Sequence, residues 1–165
     1  MGFIEETGAA QHFRDARILP IYEGTNGIQA ADLVGRKLTA DSGAALFALV
    51  ADMRRAANAP ELHVLINACE DVACHLLACG TDDRLAASYP FLKMLSTVVC
   101  GWLLEECGRG ASSSTANSTF TKVMKSSTTF YLQQVLPEAM GFKAAALATS
   151  DILYSLGADD FRENC

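Results

Sequence analysis

Glu23 is the residue of this chain whose type and setting best suit chemistry. It lies on a glycine-bearing turn directly before a helical pattern, in the stretch Ile21-Tyr22-Glu23-Gly24-Thr25-Asn26-Gly27. A helix N-terminus presents unpaired backbone N–H groups and a partial positive charge, which suit an anionic or electron-accepting ligand. The residues alone leave two interpretations open: a site built around one carboxylate, or a capped turn with Thr25 or Asn26 as N-cap and a solvated Glu23.

A second group of chemically capable residues lies on one predicted helix. His63, Asn67, Glu70 and Cys74 follow one another at about one helical turn and share a face. Such a column could supply two or three ligands to a metal ion. No second ligand cluster accompanies it, so the pattern favours a polar helix face with an ordinary histidine, and we predict no metal site.

Other types of site find little support in the sequence. Asp71 and His75 at i, i+4 indicate a local pair and nothing more. Ser113 and the serines beside it lack a G-x-S-x-G context, and neither a G-x-G-x-x-G nor a Walker-type loop occurs. Trp102 is predicted to belong to the core.

Composition bounds the remaining possibilities. The 165 residues are half hydrophobic and carry a net charge of −6, with no Lys/Arg run. We therefore expect a globular protein that binds neither nucleic acid nor an anionic membrane surface. No apolar run approaches the roughly 20 residues that span a bilayer, and the first residues lack a signal-peptide pattern, so the expected location is cytoplasmic.

The six cysteines are predicted to be buried free thiols. Five of them lie inside apolar helical stretches, and their spacing contains no C-x-x-C pair. Disulfides and a zinc site are the disfavoured alternatives. The set comprises Cys69, Cys74, Cys79, Cys100, Cys107 and the terminal Cys165.

Apolar residues recur at helical spacing along most of the chain, so helices must position the candidate residues. The most regular apolar stripe runs over residues 61–79, and further helices are predicted for residues 44–58 and 117–136. Another helix restarts at Ser88-Tyr89-Pro90, and Pro137 suits the first turn of a last helix carrying Met140, Ala144, Leu147 and Leu153. The predicted fold class is all-α, an antiparallel helical bundle.

Glycine and turn-forming residues predict the interruptions. Gly8 is expected to break a first helix over residues 3–16, residues 39–43 are turn-formers, and Gly108–Thr115 is predicted to be a loop. Two later helices are each predicted to bury one stripe. On the helix that restarts at Ser88-Tyr89-Pro90 the stripe consists of Leu92, Leu95, Val99, Trp102 and Leu103. On the helix predicted for residues 117–136 it consists of Phe120, Val123, Met124, Ser127, Tyr131 and Gln134.

The opening of the chain resembles the C-terminal signature of the acyl-CoA dehydrogenases. Three stretches carry the resemblance in order, namely Gly2-Phe3-Ile4-Glu5-Glu6, Phe13-Arg14-Asp15-Ala16-Arg17-Ile18 and Pro20-Ile21-Tyr22-Glu23-Gly24-Thr25-Asn26. The resemblance spans Met1 to about Leu38. It implies FAD as cofactor, an acyl-CoA thioester as substrate and an electron-transfer acceptor as partner.

The same resemblance implies roles for the residues of the turn. In this family the acid of the Tyr-Glu-Gly-Thr turn is commonly the base that removes the proton α to the thioester carbonyl, while a hydride leaves the β-carbon for flavin. Some members place the base on another helix. The implied roles are Glu23 as catalytic base, Tyr22 and Gly24 in substrate binding, and Thr25, Asn26 and Gly27 in cofactor binding. Gly27 stands where many relatives carry a longer polar side chain.

The later part of the chain is similar to the extra helical domain of a larger acyl-CoA dehydrogenase subgroup, which includes enzymes acting on 3-methylmercaptopropionyl-CoA. The similarity is carried by Leu136-Pro137, Asp151-Ile152-Leu153-Tyr154-Ser155-Leu156 and Asp160-Phe161. It implies two domains: residues 1–38, the tail of the dehydrogenase C-terminal domain with the catalytic-turn motif, and residues 39–165, the extra domain.

The expected protein is therefore a fragment of a flavin-dependent dehydrogenase. Only Gly2-Phe3 remains of a glycine-rich lead-in common in relatives, and Gln11 replaces a basic residue. Since most of a flavin pocket is not encoded here, this chain alone is expected to be inactive and to form homo-oligomers. The alternative is a helical interaction or oligomerisation module without catalysis.

Overall fold

The computed structural model describes residues 4–113 and 118–161, and this part of the chain forms an antiparallel helical bundle without strands. The α-helices are α1 (Ala9–Ala16), α2 (Asn26–Asp32), α3 (Leu38–Ala40), α4 (Ala44–Ala56), α5 (Pro60–Ala78), α6 (Thr81–Ala86), α7 (Ser88–Ser113), α8 (Ser118–Phe130), α9 (Leu136–Met140) and α10 (Phe142–Ala146). Two π-helical segments, Leu33–Lys37 and Tyr131–Val135, and three 3₁₀ helices, Glu5–Thr7, Asp151–Tyr154 and Ala158–Phe161, complete the order. The predicted fold class is confirmed.

Helix α5 forms the centre of the core, as its apolar stripe predicts. Its N-terminus carries Pro60, whose missing N–H costs nothing in a first helical turn. The predicted stripe is buried almost throughout, at Leu62, Leu65, Ile66, Cys69, Val72, Ala73 and Leu76. Val34, in the π-helical segment Leu33–Lys37, and Leu38, the first residue of α3, join the same core.

Helix α7 packs against α5, α8 and α10, and its buried face agrees with the predicted one only in part. Of the predicted stripe, Leu95 is buried, and Val99 and Trp102 pack against the core. Phe91, Met94 and Val98 are fully buried, whereas Leu103 is exposed. A helix contacted on several sides presents no single apolar stripe, so periodicity alone cannot locate its core face. The helix begins at Ser88 with Pro90 in its first turn, as expected.

The loop predicted at Gly108–Thr115 is wrong for its described part, because α7 continues to Ser113. The remaining two residues of that stretch lie outside the described ranges. A Cβ atom added at Gly108 would lie 3.1 Å from Thr128 Oγ1, which places this glycine directly against α8. Packing between the two helices therefore overrides the weak helix propensity of glycine.

The stripe predicted for α8 is also wrong in part. Phe120 and Val123 are exposed, whereas Thr128 is buried and its hydroxyl lies 3.0 Å from Leu104 O and 2.9 Å from Met124 O. A hydroxyl can be buried in a helix when it donates to a carbonyl, which hydropathy does not predict.

Pro137 falls in the first turn of α9, as predicted, and the chain just before it widens into a π turn. Proline has no backbone N–H, so the regular i→i−4 ladder cannot continue through it. The last helix is shorter than expected: it breaks at Gly141 and ends at Ala146, so Leu147 and Leu153 lie beyond it.

At the other end, Gly8 divides the first helical segment as expected, with φ of 74° between the 3₁₀ turn and α1. Phe13 on α1 is 64% exposed. Within the described ranges, no helix is both long and apolar enough to cross a membrane.

Candidate functional site

The turn that carries Glu23 has an unusual backbone. Glu23 has φ of 56° and Gly24 has φ of 108°, so two consecutive residues lie in positive-φ conformations. Glycine adopts such angles without steric cost, but a residue with a Cβ atom is destabilised there by about 1–2 kcal/mol. The surrounding contacts must therefore hold Glu23 in this conformation.

Hydrogen bonds on both sides connect the turn to its neighbours. Thr25 is the N-cap of α2, since its Oγ1 accepts a hydrogen bond from the backbone N–H of Ile28 at 3.4 Å. On the preceding side, the N–H of Tyr22 donates to Ile18 O at 3.0 Å. The Gln29 side chain reaches back from α2, and its Nε2 donates to Glu23 O at 2.5 Å.

The capped-turn interpretation and the site interpretation are thus compatible. Thr25 caps the helix, as one alternative predicted, while Asn26 begins α2 and Gly27 lies in its first turn. Gln29 is not among the site residues predicted from the sequence, because nothing in a hydropathy pattern indicates that a helical glutamine reaches back six residues. Its position one turn into the helix that follows the motif is the signal that could have indicated it.

The turn is open to solvent in the described chain. Glu23, Thr25, Asn26 and Gly27 are exposed, Tyr22 is 51% exposed, and Gly24 is half-buried. A carboxylate that acts as a base on a carbon acid needs partial desolvation. The described residues bring the predicted site residues together but do not supply that desolvation, and the roles assigned to them stay predictions.

Beyond the turn, a carboxylate at the end of α2 pairs with two cations of the π-helical segment that follows. Arg36 Nε and Nη2 donate to the two Asp32 carboxylate oxygens at 2.6 and 2.7 Å, and Lys37 Nζ lies 3.7 Å from Asp32 Oδ2. The hydrogen bond from Arg36 lowers the pKa of Asp32, and the reciprocal bond raises the pKa of Arg36. The interaction keeps both Asp32 and Arg36 ionised. Asp32 is thus engaged with these cations, and Glu23 is the carboxylate that lies within the turn.

Three members of the column on α5 have hydrogen-bond partners on or next to α4. Arg54 Nη2 on α4 donates to Asn67 Oδ1 at 2.9 Å and to Glu70 Oε2 at 2.6 Å, while His63 Nε2 lies 3.1 Å from Ala57 O. Among the described residues no group of three or more His, Cys, Asp or Glu side chains could hold a metal ion. The preference for a polar helix face agrees with this geometry.

Two surface ion pairs join separate elements of the bundle. Asp71 Oδ2 accepts a hydrogen bond from Lys143 Nζ at 2.9 Å, which joins α5 to α10 instead of pairing with His75. Arg14 forms two hydrogen bonds with the Glu5 carboxylate, at 2.7 and 3.1 Å, across the Gly8 break. Both pairs are exposed and contribute about 0–1 kcal/mol each.

The prediction of buried thiols holds for Cys69 and is wrong for three other cysteines. Burial raises the pKa of the Cys69 thiol to about 12, so it stays protonated. Cys74, Cys100 and Cys107 are exposed because they lie on helix faces turned away from the core, and Cys79 is half-buried. These five cysteines are free thiols, and Cys165 lies outside the described ranges.

Two apolar cavities lie elsewhere on the bundle. One has a volume of about 220 Å³ between the π-helical segment at Leu33–Lys37, α4 and α7. The other, about 180 Å³, lies between α5 and α9. Their lining residues do not include the Glu23 turn, so neither cavity encloses the candidate site.

Comparisons with known proteins identify the class of protein to which this helical bundle belongs. A family model described as "Acetyl-CoA dehydrogenase C-terminal like" matches residues 36–156. The chain belongs to this family. The resemblance found in the sequence is thereby confirmed.

Individual dehydrogenases that are similar in sequence support the same class. The chain is 37% identical over 174 aligned residues to 3-methylmercaptopropionyl-CoA dehydrogenase of Ruegeria pomeroyi, covering 93% of this chain and 29% of that relative. It is 26% identical to a butyryl-CoA dehydrogenase of Syntrophomonas wolfei, covering 89% of this chain and 27% of the relative. A 45-residue segment is 47% identical to the broad-specificity linear acyl-CoA dehydrogenase FadE5 of Mycobacterium tuberculosis, covering 27% of this chain and 7% of that relative. The chain thus spans less than a third of the length of each.

Proposed function

We propose that this chain is the C-terminal part of an FAD-dependent acyl-CoA dehydrogenase, which introduces an α,β double bond into an acyl-CoA thioester. The observation that carries the proposal is the 37% identity to 3-methylmercaptopropionyl-CoA dehydrogenase along 93% of the chain. In this proposal residues 1–38 complete the catalytic domain and residues 39–165 form the extra helical domain.

Glu23 is the proposed base. Its carboxylate accepts the proton α to the thioester carbonyl. Tyr22 and Gly24 lie beside the thioester, and Thr25, Asn26 and Gly27 lie on the cofactor side. FAD, when bound, supplies the acceptor for the hydride that leaves the β-carbon.

The described residues fit one edge of such a site and do not enclose it. The exposed hydroxyl of Thr25, the amide of Asn26 and the open surface over Gly27 suit contact with a polar cofactor. The same exposure leaves the Glu23 carboxylate in water, where proton abstraction from carbon is poorly driven. We therefore propose that the chain by itself has little or no dehydrogenase activity.

Flavin content and a matched pair of variants test the proposal. Purified chain should show no stoichiometric flavin absorbance band, and such a band would contradict the proposed inactivity. In the dehydrogenase that contains this chain, Glu23→Gln should retain flavin yet abolish flavin bleaching by acyl-CoA. Glu6→Gln, an exposed acid near the N-terminus, serves as control and should bleach normally. Retained bleaching in Glu23→Gln would mean that another residue is the base.

A second candidate, an interaction module without catalysis, is favoured by exposed apolar side chains. Ile18, Leu19 and Ile21 before the turn, and Ile152 and Leu153 after α10, are each more than half exposed. Surfaces of this kind are typical of contacts with other chains. A dehydrogenase that keeps full activity when Glu23 is replaced, but loses its subunit assembly when residues 39–165 are removed, would support this alternative.

The proposal also includes an electron acceptor, an oligomeric state and a location in the cell. The enzyme passes its electrons to an electron-transfer acceptor, assembles as a homo-oligomer and acts in the cytoplasm. Cell fractionation followed by immunodetection tests the location, and reoxidation of the reduced enzyme by candidate acceptors identifies the partner.

A further inference from the structure

Gln29 lies outside the predicted site residues but contacts the most strained of them. Its side-chain Nε2 donates a hydrogen bond to the backbone oxygen of Glu23 at 2.5 Å. We propose that Gln29 is the positioning residue that holds Glu23 in its left-handed backbone conformation. This inference rests on the proposed function, in which Glu23 is the base.

The hydrogen bond acts on the peptide that joins Glu23 to Gly24. The orientation of this peptide is set by ψ of Glu23 and by φ of Gly24, which is 108°. Because Gln29 is fixed on α2, its amide ties the Glu23 carbonyl to the helix. The direction of the Glu23 Cα–Cβ bond relative to α2 is thereby restricted.

Gly24 provides the space through which Gln29 reaches the carbonyl. A Cβ atom at position 24 would lie 3.3 Å from Gln29 Nε2 and 3.2 Å from Ile28 Cγ2. A larger residue would crowd the amide just where it makes its hydrogen bond. Gly24 and Gln29 therefore act together, one by lacking a side chain and the other by supplying a donor.

The Thr25 cap does not replace this contact. Its Oγ1 accepts from the Ile28 N–H at 3.4 Å, which fixes the start of α2 and leaves the Glu23 peptide untouched. Loss of the Gln29 donor should therefore release Glu23 while the helix and its cap persist. A misplaced base slows the chemical step more than it weakens substrate binding.

Limited proteolysis of this chain tests the structural part of the inference. A glutamyl endopeptidase cleaves after Glu23 only when the turn opens. Gln29→Met keeps the side-chain length and removes the donor, so cleavage after Glu23 should become about 2–10-fold faster.

Cleavage after Glu6 in the same protein is the internal reference. Gln133→Met, an exposed glutamine on the second π-helical segment, is the matched control and should match wild type. Equal cleavage after Glu23 in all three proteins would overturn the inference.

Steady-state kinetics of the dehydrogenase that contains this chain test the positioning role. Gln29→Met should lower kcat by roughly 10–100-fold with KM within about twofold of wild type. In a Glu23→Asp background the same change should have much less effect, because Gln29 acts through Glu23. Equal effects in both backgrounds would overturn the inference.

The two proposals fail in different ways. If Glu23→Gln retains turnover, the assignment of the base is wrong, and the positioning role falls with it. If Glu23→Gln is inactive while Gln29→Met keeps the wild-type kcat, the base assignment stands and only the role of Gln29 is overturned.

Discussion

Glu105, on α7, caps the N-terminus of another helix. Its carboxylate oxygens accept the backbone N–H groups of Asn58 and Ala59, each at 2.9 Å, at the start of α5. Arg109, one turn later, donates to Ala56 O at 2.8 Å at the end of α4. One pair of side chains thus satisfies backbone groups of both helix ends at this corner.

We expect Glu105→Ala to lower the free energy of unfolding by about 1–2 kcal/mol, because it leaves two backbone donors at a half-buried corner without their acceptor. Urea denaturation followed by circular dichroism measures the change. Glu106→Ala is the control: Glu106 is half-buried and pairs with Arg109, so its loss should cost no more than about 1 kcal/mol. Equal losses in the two variants would contradict the capping role.

Asp83 ties the chain beyond α10 to α6. Its Oδ1 accepts the backbone N–H and the hydroxyl of Ser150, both at 2.7 Å. The backbone N–H, followed by the hydroxyl, lowers the pKa of Asp83. The folded pKa therefore lies below the unfolded value of about 3.9, so the ionised carboxylate stabilises the fold above that value and loses this effect as the pH falls through the folded pKa.

Asp83→Asn should accordingly lower the melting temperature at neutral pH. The difference from wild type should narrow as the pH is reduced below about 4, because the wild-type carboxyl is then protonated as well. Melting curves recorded across this pH range provide the measurement, with Asp82→Asn on the same helical turn as control. A difference that stays constant with pH would refute the assignment.

At the scale of elements, close approach of helices depends on glycines of α7. A Cβ atom at Gly101 would lie 3.0 Å from both Leu136 Cδ1 and Leu62 Cδ2, two side chains that are themselves buried. At Gly110 a Cβ atom would meet nothing within 4 Å. Replacing glycine by alanine is therefore expected to have opposite effects on stability at these two positions of α7.

Gly101→Ala should destabilise the bundle by about 1–3 kcal/mol, because the extra methyl group overpacks the contact between α7, α5 and α9. Gly110→Ala should be neutral or stabilising by up to about 1 kcal/mol, since alanine favours the helix. Midpoints of thermal unfolding for the two variants provide the comparison. A Gly101→Ala variant as stable as Gly110→Ala would show that the contact is loose.

For the whole molecule, the distribution of exposed apolar side chains predicts self-association. Beyond α10 the exposed residues include Ile152, Leu153, Tyr154 and Leu156, with Ile152 at 75% exposure. A group of this kind is unfavourable in water, so burial against a second copy should lower the free energy.

Sedimentation velocity should therefore show concentration-dependent association of the chain. The double variant Ile152→Ser, Leu153→Ser should shift the population towards monomer. Val64→Ser, an exposed apolar residue on α5, should leave the distribution unchanged. A wild-type chain that is monomeric at all concentrations would contradict this prediction.

Much of the fold could be predicted from local patterns. The buried stripe of α5, the break at Gly8 and the start of α9 at Pro137 follow from side-chain periodicity and from backbone restrictions that each residue carries with it. The helical character of Gly108 and the exposure of Phe13 could not be predicted, since both depend on which other elements pack there.

The sequence by itself determined the Tyr-Glu-Gly-Thr-Asn motif and the family, because both reside in residue order. Only the tertiary structure showed that Glu23 has a positive φ, that Gln29 reaches back to its carbonyl and that its carboxylate is open to water. Backbone angles, side-chain contacts and burial are set by neighbours in space, which hydropathy and spacing do not specify.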